Sequence, residues 1–320
     1  MQTAVLGCGR WGAFLAWYAV RSGLATTLWG RPGSRALAGL RQTGSNEYLT
    51  LPAALPLTDR LEDALDGADV AFVAIGAQEL RWFLRQNREA IPPTLPLVLC
   101  MKGLEAETGK RLTQVTQEEL GAAQPLAVLV GPGHVQHFVG GQPGCMLVCG
   151  QGPEPTATVV THLSGQLLRL YVGEDLLGAE VGAAAKNVIG IAAGILDGLG
   201  VSALKGALMT RGAYEVARLV RRMGGHEQTV YGLSHLGDYE ATLFSPYSHN
   251  RACGEALAKE ESYPLLAEGV ATADALALLA QEYKVDLPIC TAVRSVLRGE
   301  RSAREGLSHL FDRPGRYEFT

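Results

Sequence analysis

The sequence lacks the features of several common protein classes. It contains no CxxC pair, no run of like charges and no basic stretch, and its 320 residues carry a formal net charge of -4. We therefore expect no nucleic-acid partner, because nucleic-acid-binding domains present basic patches to the phosphate backbone. Any small anionic substrate must be attracted by local groups. With 47% hydrophobic and 19% charged residues, the chain can bury a large core, and its length suggests about two domains.

Six cysteines are scattered through apolar surroundings, which is typical of reduced thiols in a cytosolic protein. Cys145 and Cys149 lie close in sequence, but no His/Cys cluster accompanies them at zinc spacing, so we predict no metal site. The sequence begins Met-Gln-Thr and turns at once to a β-prone run, without the basic and apolar segments of a signal peptide. These observations predict a cytoplasmic protein that does not insert into a membrane.

A glycine fingerprint follows the first β-prone run, at residues 3–6, and precedes a helical stretch. In this G-x-G-x-x-G pattern, Gly7 permits a tight turn, Gly9 lets a pyrophosphate approach the backbone, and Gly12 lets helix and strand pack closely. The alternative is a glycine turn with a purely structural role. The order of strand, fingerprint and helix favours a dinucleotide-binding site.

The residues after the second predicted strand, Thr26–Trp29, bear on the choice of cofactor. An NAD-selective fold usually places an Asp or Glu there, whereas this chain has Arg31 and Arg35, which could bind a 2′-phosphate. The alternative is that both arginines are solvated loop residues. We predict NADP or NAD as the cofactor, with NADPH favoured.

Further apolar runs in the first half predict strands that are covered on both faces. They are Ala68–Ile75, Pro96–Met101, Leu126–Val130 and Cys145–Cys149. Strands that alternate with helical stretches predict an α/β fold with a Rossmann-like, doubly wound sheet. Ligands bind such a sheet at the carboxyl ends of its strands. We expect four strand ends to line one crevice: Gly7–Gly12, Ile75–Gln78, Met101–Gly103 and Gly131–Gly133.

From about residue 178 onward the sequence predicts helices and no convincing strand. The predicted helices are Val181–Leu196, Ala203–Met223, Ser248–Lys259, Ala267–Tyr283, Thr291–Arg298 and Ala303–Phe311. We therefore predict a dinucleotide-binding domain at residues 1–177 and an all-helical substrate and catalytic domain at residues 178–320, which closes over the ligand edge of the sheet.

Lys186 is the only charged residue in the apolar helix Val181–Leu196. An unpaired ammonium would be costly there, so the amine either reaches water or faces a polar cleft. In a cleft, desolvation would lower its pKa and make it a usable acid or base. Three glycines in the helix, Gly182, Gly190 and Gly194, indicate that its backbone lies close to another part of the protein.

Several motifs together resemble those of the soluble, bacterial-type NAD(P)-dependent glycerol-3-phosphate dehydrogenases. They are the fingerprint G-C-G-R-W-G, Lys102-Gly103-Leu104-Glu105, Gly131-Pro132, Lys186-Asn187, residues 232–238 (GLSHLGD) and residues 248–251 (SHNR). The resemblance spans nearly the whole chain. It implies reversible reduction of dihydroxyacetone phosphate to sn-glycerol 3-phosphate, which supplies glycerophospholipid synthesis.

The resemblance also implies roles for individual residues. Lys186 would exchange the proton, and Lys102 and Asp238 would bind or orient the reacting end of the substrate. Asp238 could otherwise be a turn carboxylate or a helix cap. The implied substrate contacts are Lys102, Gly131, Gly133, Lys186, Asn187, Asp238, Ser248, His249 and Asn250. The implied cofactor contacts are Gly7, Gly9, Arg10, Trp11, Gly12, Arg31, Lys102, Val135, His249, Leu266 and Glu268. A homodimer is our working hypothesis for the assembly.

The chain departs from the family pattern in three motifs. In the motif Ser-Arg-Asn-Arg, His249 replaces the first arginine. In the motif Gly-Pro-Ser, Gly133 replaces the serine, and His134 follows it in place of an aromatic residue. Met101 replaces the serine that usually precedes the lysine-glycine pair. A histidine cannot reproduce the bidentate fork of arginine on a phosphate. Arg251, the helix N-terminus near residue 248, or a protonated His249 could supply the positive potential instead.

Two other functions are compatible with parts of this pattern. One is a dehydrogenase of the same fold that acts on another small hydroxy compound, which the changes at Gly133 and His249 suggest. The other is a catalytically silent dinucleotide sensor. A sensor needs the glycine fingerprint but not the proton-transfer set, so the joint presence of five residues favours an enzyme: Lys102, Lys186, Asn187, Asp238 and Asn250.

Overall fold

The structure is a computed structural model, which describes residues 1–314 and Glu318. The other residues of the predicted helical domain, 315–317 and 319–320, lie outside the described residues. The first half of the chain forms an eight-stranded sheet in the order β3-β2-β1-β4-β5-β6-β7-β8. The strands are β1 (Gln2–Leu6), β2 (Ala25–Trp29), β3 (Leu57–Thr58), β4 (Val70–Val73), β5 (Leu97–Leu99), β6 (Leu126–Val130), β7 (Gly144–Gly150) and β8 (Leu168–Gly173).

Neighbouring strands run parallel except β6 and β7, which are antiparallel. The helices on the sheet are α1 (Arg10–Arg21), α2 (Arg35–Thr43), α3 (Leu61–Leu65), α4 (Leu80–Gln86), α5 (Leu112–Leu120), α6 (Val135–Val139) and α7 (Pro153–Leu163). This architecture confirms the predicted doubly wound α/β fold. The order of the strands changes direction at β1, between β2 and β4, where a doubly wound sheet forms its ligand crevice.

Both faces of the central strands β1, β4, β5 and β6 are buried, and alternate residues of one strand belong to different cores. Val5 and Phe72 belong to the hydrophobic cluster on one side, whereas Leu6 and Val73 belong to the cluster on the other. All four side chains are at most 1% exposed. Strands covered on both faces read as continuous apolar runs, which is why the sequence revealed them.

Two strands were not predicted from the sequence. β3 has only two residues, too few for a pattern. In β8, the edge strand next to β7, the buried Leu168 and Leu170 alternate with the exposed Arg169 and Tyr171, so one face of this strand is open to solvent. That alternation is the signal typical of a half-exposed strand, and it was the one clue available.

The second half of the chain is helical, as predicted. Its helices are α8 (Leu176–Gly198), α9 (Lys205–Arg222), α10 (His249–Ala258), α11 (Glu268–Glu282), α12 (Pro288–Leu297) and α13 (Ala303–Phe311). Helix α8 begins two residues before the predicted domain boundary, which itself stays a prediction. Between α9 and α10 the chain forms short 3₁₀ turns, including Leu236–Asp238, and the π-helical turn Glu240–Phe244.

Helix α8 is the central element of the helical half. A Cβ atom on Gly194 would lie 1.9 Å from the carbonyl oxygen of Arg251, and one on Gly254 would lie 1.9 Å from that of Ile191. Only glycine therefore allows α8 and α10 to cross at this distance, which confirms the predicted close backbone approach. Within the described residues, α8 is the one helix long and apolar enough to span a membrane, but it is entirely buried inside the protein.

Candidate active site

A cleft of about 270 Å³ lies between the carboxyl ends of the strands and the helical half. All four predicted strand ends contribute to its lining, through Trp11 after β1, Ile75 after β4, Lys102 after β5 and Gly133 after β6. The predicted crevice is therefore confirmed. The predicted site residues that line it are Arg10, Trp11, Lys102, Gly133, Val135, Lys186, Asn187, Asp238, Ser248, His249, Asn250, Leu266 and Glu268.

The three fingerprint glycines have the geometry of a dinucleotide-binding turn. Gly7 has a φ of 117°, a conformation that side chains rarely adopt. A Cβ atom on Gly12 would lie 1.8 Å from the carbonyl oxygen of Gly7, so glycine is required for the helix to pack on this turn. A Cβ atom on Gly9 would meet nothing within 4 Å. The space in front of Gly9, at the N-terminus of α1, fits the pyrophosphate of a dinucleotide.

Lys186, Lys102 and Asp238 meet in the cleft. Asp238 Oδ2 lies 2.8 Å from Lys186 Nζ and 2.7 Å from Lys102 Nζ. Lys102 also donates a hydrogen bond of 2.5 Å to the carbonyl oxygen of Gly131. Asp238 is 1% exposed and Lys186 is 6% exposed. The carboxylate of Asp238 contacts two ammonium groups, so Asp238 is more than the helix cap or turn residue that the sequence left as an alternative.

The surroundings of Lys186 lower the pKa of its amine to about 8. Burial is the main cause, because it disfavours the charged form. The carboxylate of Asp238 raises the pKa and the ammonium of Lys102 lowers it, so these two effects partly cancel. An amine with a pKa near 8 exchanges protons readily at neutral pH, as a general acid or base must.

Thr242 is a contact of Lys186 that the sequence analysis missed. Its hydroxyl accepts a hydrogen bond of 2.6 Å from Lys186 Nζ and donates one of 2.7 Å to the carbonyl oxygen of Asp238. The π-helical turn Glu240–Phe244 places the hydroxyl there. The only indication in the sequence was that Thr242 follows Asp238 by four residues, a spacing that places both side chains on one face of a helical turn.

The amides of Asn187 and Asn250 link the two halves of the chain. Asn187 Nδ2 donates to the carbonyl oxygen of Lys102 at 2.9 Å, and Asn250 Nδ2 donates to Asn187 Oδ1 at 3.0 Å. Asn250 Oδ1 in turn accepts from the backbone N–H of Gly269 at 2.9 Å. This chain of hydrogen bonds holds Lys102 in place relative to α8, α10 and α11.

His249 is the second residue of the SHNR motif, at the start of α10. Its Nδ1 is 2.7 Å from the hydroxyl of Tyr263. Burial lowers the pKa of His249 below its ordinary value, and the positive charge of Arg10 lowers it further, while the carboxylate of Glu47 acts in the opposite direction. The side chain is therefore mainly neutral at pH 7.

Arg251 does not supply positive charge to the cleft, so this alternative from the sequence analysis is wrong. Its Nη1 is 2.9 Å from Asp197 and 3.0 Å from Glu255, and its Nε donates to the carbonyl oxygen of Ser245. Two carboxylates therefore neutralise the guanidinium. Ser248 caps α10 by accepting a hydrogen bond from the backbone N–H of Arg251.

The glycine at position 133 has a packing reason. A Cβ atom there would lie 2.4 Å from Cε2 of Phe138, whose ring stacks on Phe14 with centroids 5.0 Å apart. A serine would therefore require this ring pair to move. The neighbouring His134 is buried, its Nε2 is 2.8 Å from the carbonyl oxygen of Ala241, and burial lowers its pKa to about 4.

Arg31 and Arg35 are exposed and do not line the cleft, and they lie in the loop after β2 and at the start of α2. Glu268 does line it, and burial raises the pKa of its carboxyl.

The six cysteines are free, as expected. Among residues 1–314 and 318, no group of three or more His, Cys, Asp or Glu side chains could hold a metal ion.

A larger cavity, of about 510 Å³, lies within the helical half between α8, α9, α12 and α13. Its walls are mostly apolar and contain none of the predicted site residues. The cleft at the sheet edge is the better candidate for catalysis, because it combines a buried lysine of lowered pKa with the glycine turn.

Comparison with known proteins agrees with this geometry. The family model described as the NAD-dependent glycerol-3-phosphate dehydrogenase N-terminus matches residues 2–153, and the corresponding C-terminus model matches residues 175–308. A glycerol-3-phosphate dehydrogenase [NAD(P)+] of Deinococcus radiodurans is 41% identical over 98% of this chain and 96% of its own length. One from Rhodospirillum rubrum is 38% identical over 98% of this chain and 93% of its own length.

Solved structures give the same result. The crystal structure of the glycerol-3-phosphate dehydrogenase of Coxiella burnetii superimposes with a TM-score of 0.92 at 27% identity, covering 98% of this chain and 99% of that one. A D-mandelate dehydrogenase solved with NADH shares the fold alone, with a TM-score of 0.65 at 14% identity, covering 94% of this chain and 98% of that one. The chain therefore belongs to the NAD-dependent glycerol-3-phosphate dehydrogenase family.

Proposed function

We propose that the protein is a glycerol-3-phosphate dehydrogenase [NAD(P)+] that transfers hydride reversibly between NAD(P)H and dihydroxyacetone phosphate. The product, sn-glycerol 3-phosphate, serves glycerophospholipid synthesis. The observation that carries this proposal is the position of the Lys186 amine, which lies buried beside Asp238 in the cleft that Arg10 and Trp11 of the glycine fingerprint also line. Membership of the family supports the substrate and the reaction.

The proton is handled by the residues around Lys186. When bound, the nicotinamide cofactor supplies or accepts the hydride at the substrate carbon. In ketone reduction, protonated Lys186 donates its proton to the carbonyl oxygen, and in alcohol oxidation the neutral amine accepts the hydroxyl proton. Asp238 and Thr242 fix the direction of the amine through contacts of 2.8 and 2.6 Å. The ammonium of Lys102 polarises the substrate oxygen.

The remaining residue roles are part of the same proposal. Gly131, Gly133, Asn187, Ser248, His249 and Asn250 bind the substrate. Gly7, Gly9, Arg10, Trp11, Gly12, Arg31, Val135, Leu266 and Glu268 bind the cofactor, together with Lys102 and His249. The exposed Arg31 and Arg35 support a preference for NADPH over NADH, because a guanidinium pairs well with a 2′-phosphate.

Three broader features accompany the proposed activity. The enzyme works in the cytoplasm, in keeping with its free cysteines. It forms a homodimer, which analytical ultracentrifugation would test. Residues 1–177 bind the cofactor and residues 178–320 contribute the catalytic lysine.

The deciding experiment measures oxidation of NADPH and of NADH with dihydroxyacetone phosphate and, separately, with dihydroxyacetone. We expect turnover with the phosphorylated ketone and little with the unphosphorylated one. Turnover of a different hydroxy or keto compound alone would favour another dehydrogenase of the same fold. Cofactor binding without turnover of any ketone in a panel would favour a dinucleotide sensor.

A further inference from the structure

Arg10 is the one cationic side chain lining the cleft that has no carboxylate partner among the described residues. Lys102 and Lys186 share the carboxylate of Asp238, at 2.7 and 2.8 Å. The guanidinium carbon of Arg10 instead lies 5.5 Å from the centre of the Tyr48 ring. A cation over an aromatic face keeps its hydrogen-bond donors free for another partner. Arg10 is therefore able to bind an anion that enters the cleft.

The position of Arg10 directs this charge to the place where phosphates bind in the fold. Arg10 is the first residue of the twelve-residue helix α1 and directly follows Gly9, in front of which there is open space. It also lines the same cleft as His134 and as His249, the first residue of α10. One guanidinium can thus reach an anion held between the glycine turn and the SHNR motif.

The other candidates for this role are occupied or uncharged. Arg251 is paired with Asp197 and Glu255. His249 is bonded to Tyr263 and mainly neutral at pH 7. Ser248 uses its hydroxyl to cap α10. Arg10 is therefore the arginine that is available to bind a phosphate dianion in this cleft.

We propose that Arg10 binds a phosphate group of a ligand in the cleft and so replaces the arginine that the family pattern has at position 249. The phosphate belongs either to the cofactor or to the phosphorylated substrate, and the planar guanidinium fork suits both. This inference rests on the proposed function. It predicts an interaction between positions 10 and 249, because an arginine at either position can supply the same contact.

The test is a double-mutant cycle with Arg10→Gln, His249→Arg and the combined variant. NADPH affinity, measured by fluorescence, reports on the cofactor phosphates. The affinity of the NADP⁺ complex for sn-glycerol 3-phosphate, measured by calorimetry, reports on the substrate phosphate. We expect Arg10→Gln to weaken one or both affinities by about tenfold or more, the effect of losing a hydrogen bond to a charged group. Adding His249→Arg should restore most of the loss.

Arg21→Gln is a matched control, because Arg21 ends the same helix and its guanidinium lies 4.7 Å from the centre of the Trp17 ring. It should leave both affinities unchanged. Two results would overturn the proposal. The first is that folded Arg10→Gln binds both ligands with affinities within threefold of wild type. The second is that His249→Arg changes each affinity by the same factor in the wild-type protein and in Arg10→Gln. If wild type binds NADPH but not sn-glycerol 3-phosphate, the proposed function fails, and the NADPH measurements still decide the role of Arg10.

Discussion

The amine of Lys186 lies 2.8 Å from Oδ2 of Asp238, and both side chains are almost completely buried. A buried carboxylate that contacts an amine orients it and retains part of its positive charge. The burial itself has the opposite effect and lowers the pKa of Lys186 to about 8. The pair therefore combines a fixed geometry with a proton that is easily exchanged.

Replacing Lys186 with methionine should reduce the chemical step far more than cofactor binding. The thioether keeps the apolar stem, and Asp238 remains paired with Lys102. A general acid or base typically contributes about 10²- to 10⁴-fold in rate, so we expect a loss of that size in single-turnover NADPH oxidation with saturating ketone. Cofactor affinity and the thermal melting temperature should stay close to wild type.

Lys110→Met is the control, because Lys110 forms an ion pair with Glu118 outside the cleft. It should leave the single-turnover rate nearly unchanged. A fall of less than about tenfold in Lys186→Met would mean that Lys186 is not the proton donor, since such a loss is below the usual range for an acid or base. Lys102 would then be the first alternative.

The pH dependence of the two reaction directions should have opposite signs. Neutral Lys186 is the base in alcohol oxidation, so that rate should rise with pH through about 8. Protonated Lys186 is the acid in ketone reduction, so that rate should fall over the same interval. Asp238→Asn should move the midpoint to lower pH, since the carboxylate raises the pKa of the amine. Full pH profiles of both rates test this, and equal signs in the two directions would contradict it.

Gly9→Val should weaken cofactor binding without unfolding the protein. The protein has room for the side chain, because a Cβ atom on Gly9 meets nothing within 4 Å, but the side chain would fill the space proposed for the pyrophosphate. Fluorescence titration with NADPH measures the loss. Gly39→Val on α2, where the space is also open, is the control and should bind normally. Equal affinities in the two folded variants would refute the assignment.

Arg31→Ala should lower kcat/KM with NADPH more than with NADH. The guanidinium is exposed at the end of β2, where it can pair with a 2′-phosphate that NADH lacks. Steady-state kinetics with both cofactors give the ratio, and Arg35→Ala should show a smaller effect of the same sign. Equal losses with NADPH and NADH would show that Arg31 does not bind this phosphate.

The charge of His249 should contribute to phosphate binding only at low pH. From its ordinary pKa of about 6.5, the sequence predicts a Michaelis constant for the phosphorylated ketone that rises as the pH approaches 8. Burial and Arg10 lower the pKa, so the rise should occur below pH 6.5 instead. In His249→Arg the Michaelis constant should change less over this interval, and the ionisation of the substrate phosphate, with a second pKa of about 6, affects both enzymes alike. A wild-type rise confined to pH 7–8 would contradict this.

Much of the fold could be predicted because it follows from local patterns. The parallel strands are buried on both faces and appear as apolar runs, such as Leu126–Val130, whose bounds the structure reproduces. Helix α13 was likewise predicted with the observed bounds, and it begins with a capping box at Ser302 and Glu305. The edge strand β8 was missed because half of its side chains face solvent.

The sequence by itself determined the glycine turn, the apolar helix around Lys186 and, through the resemblance, the set of residues that would act together. Only the tertiary structure decided their charges and partners. The pKa of Lys186, the neutrality of His249 and the pairing of Arg251 with Asp197 depend on burial and on residues far away in the chain. Such electrostatic effects act through space over a few ångströms, and sequence spacing does not specify those distances.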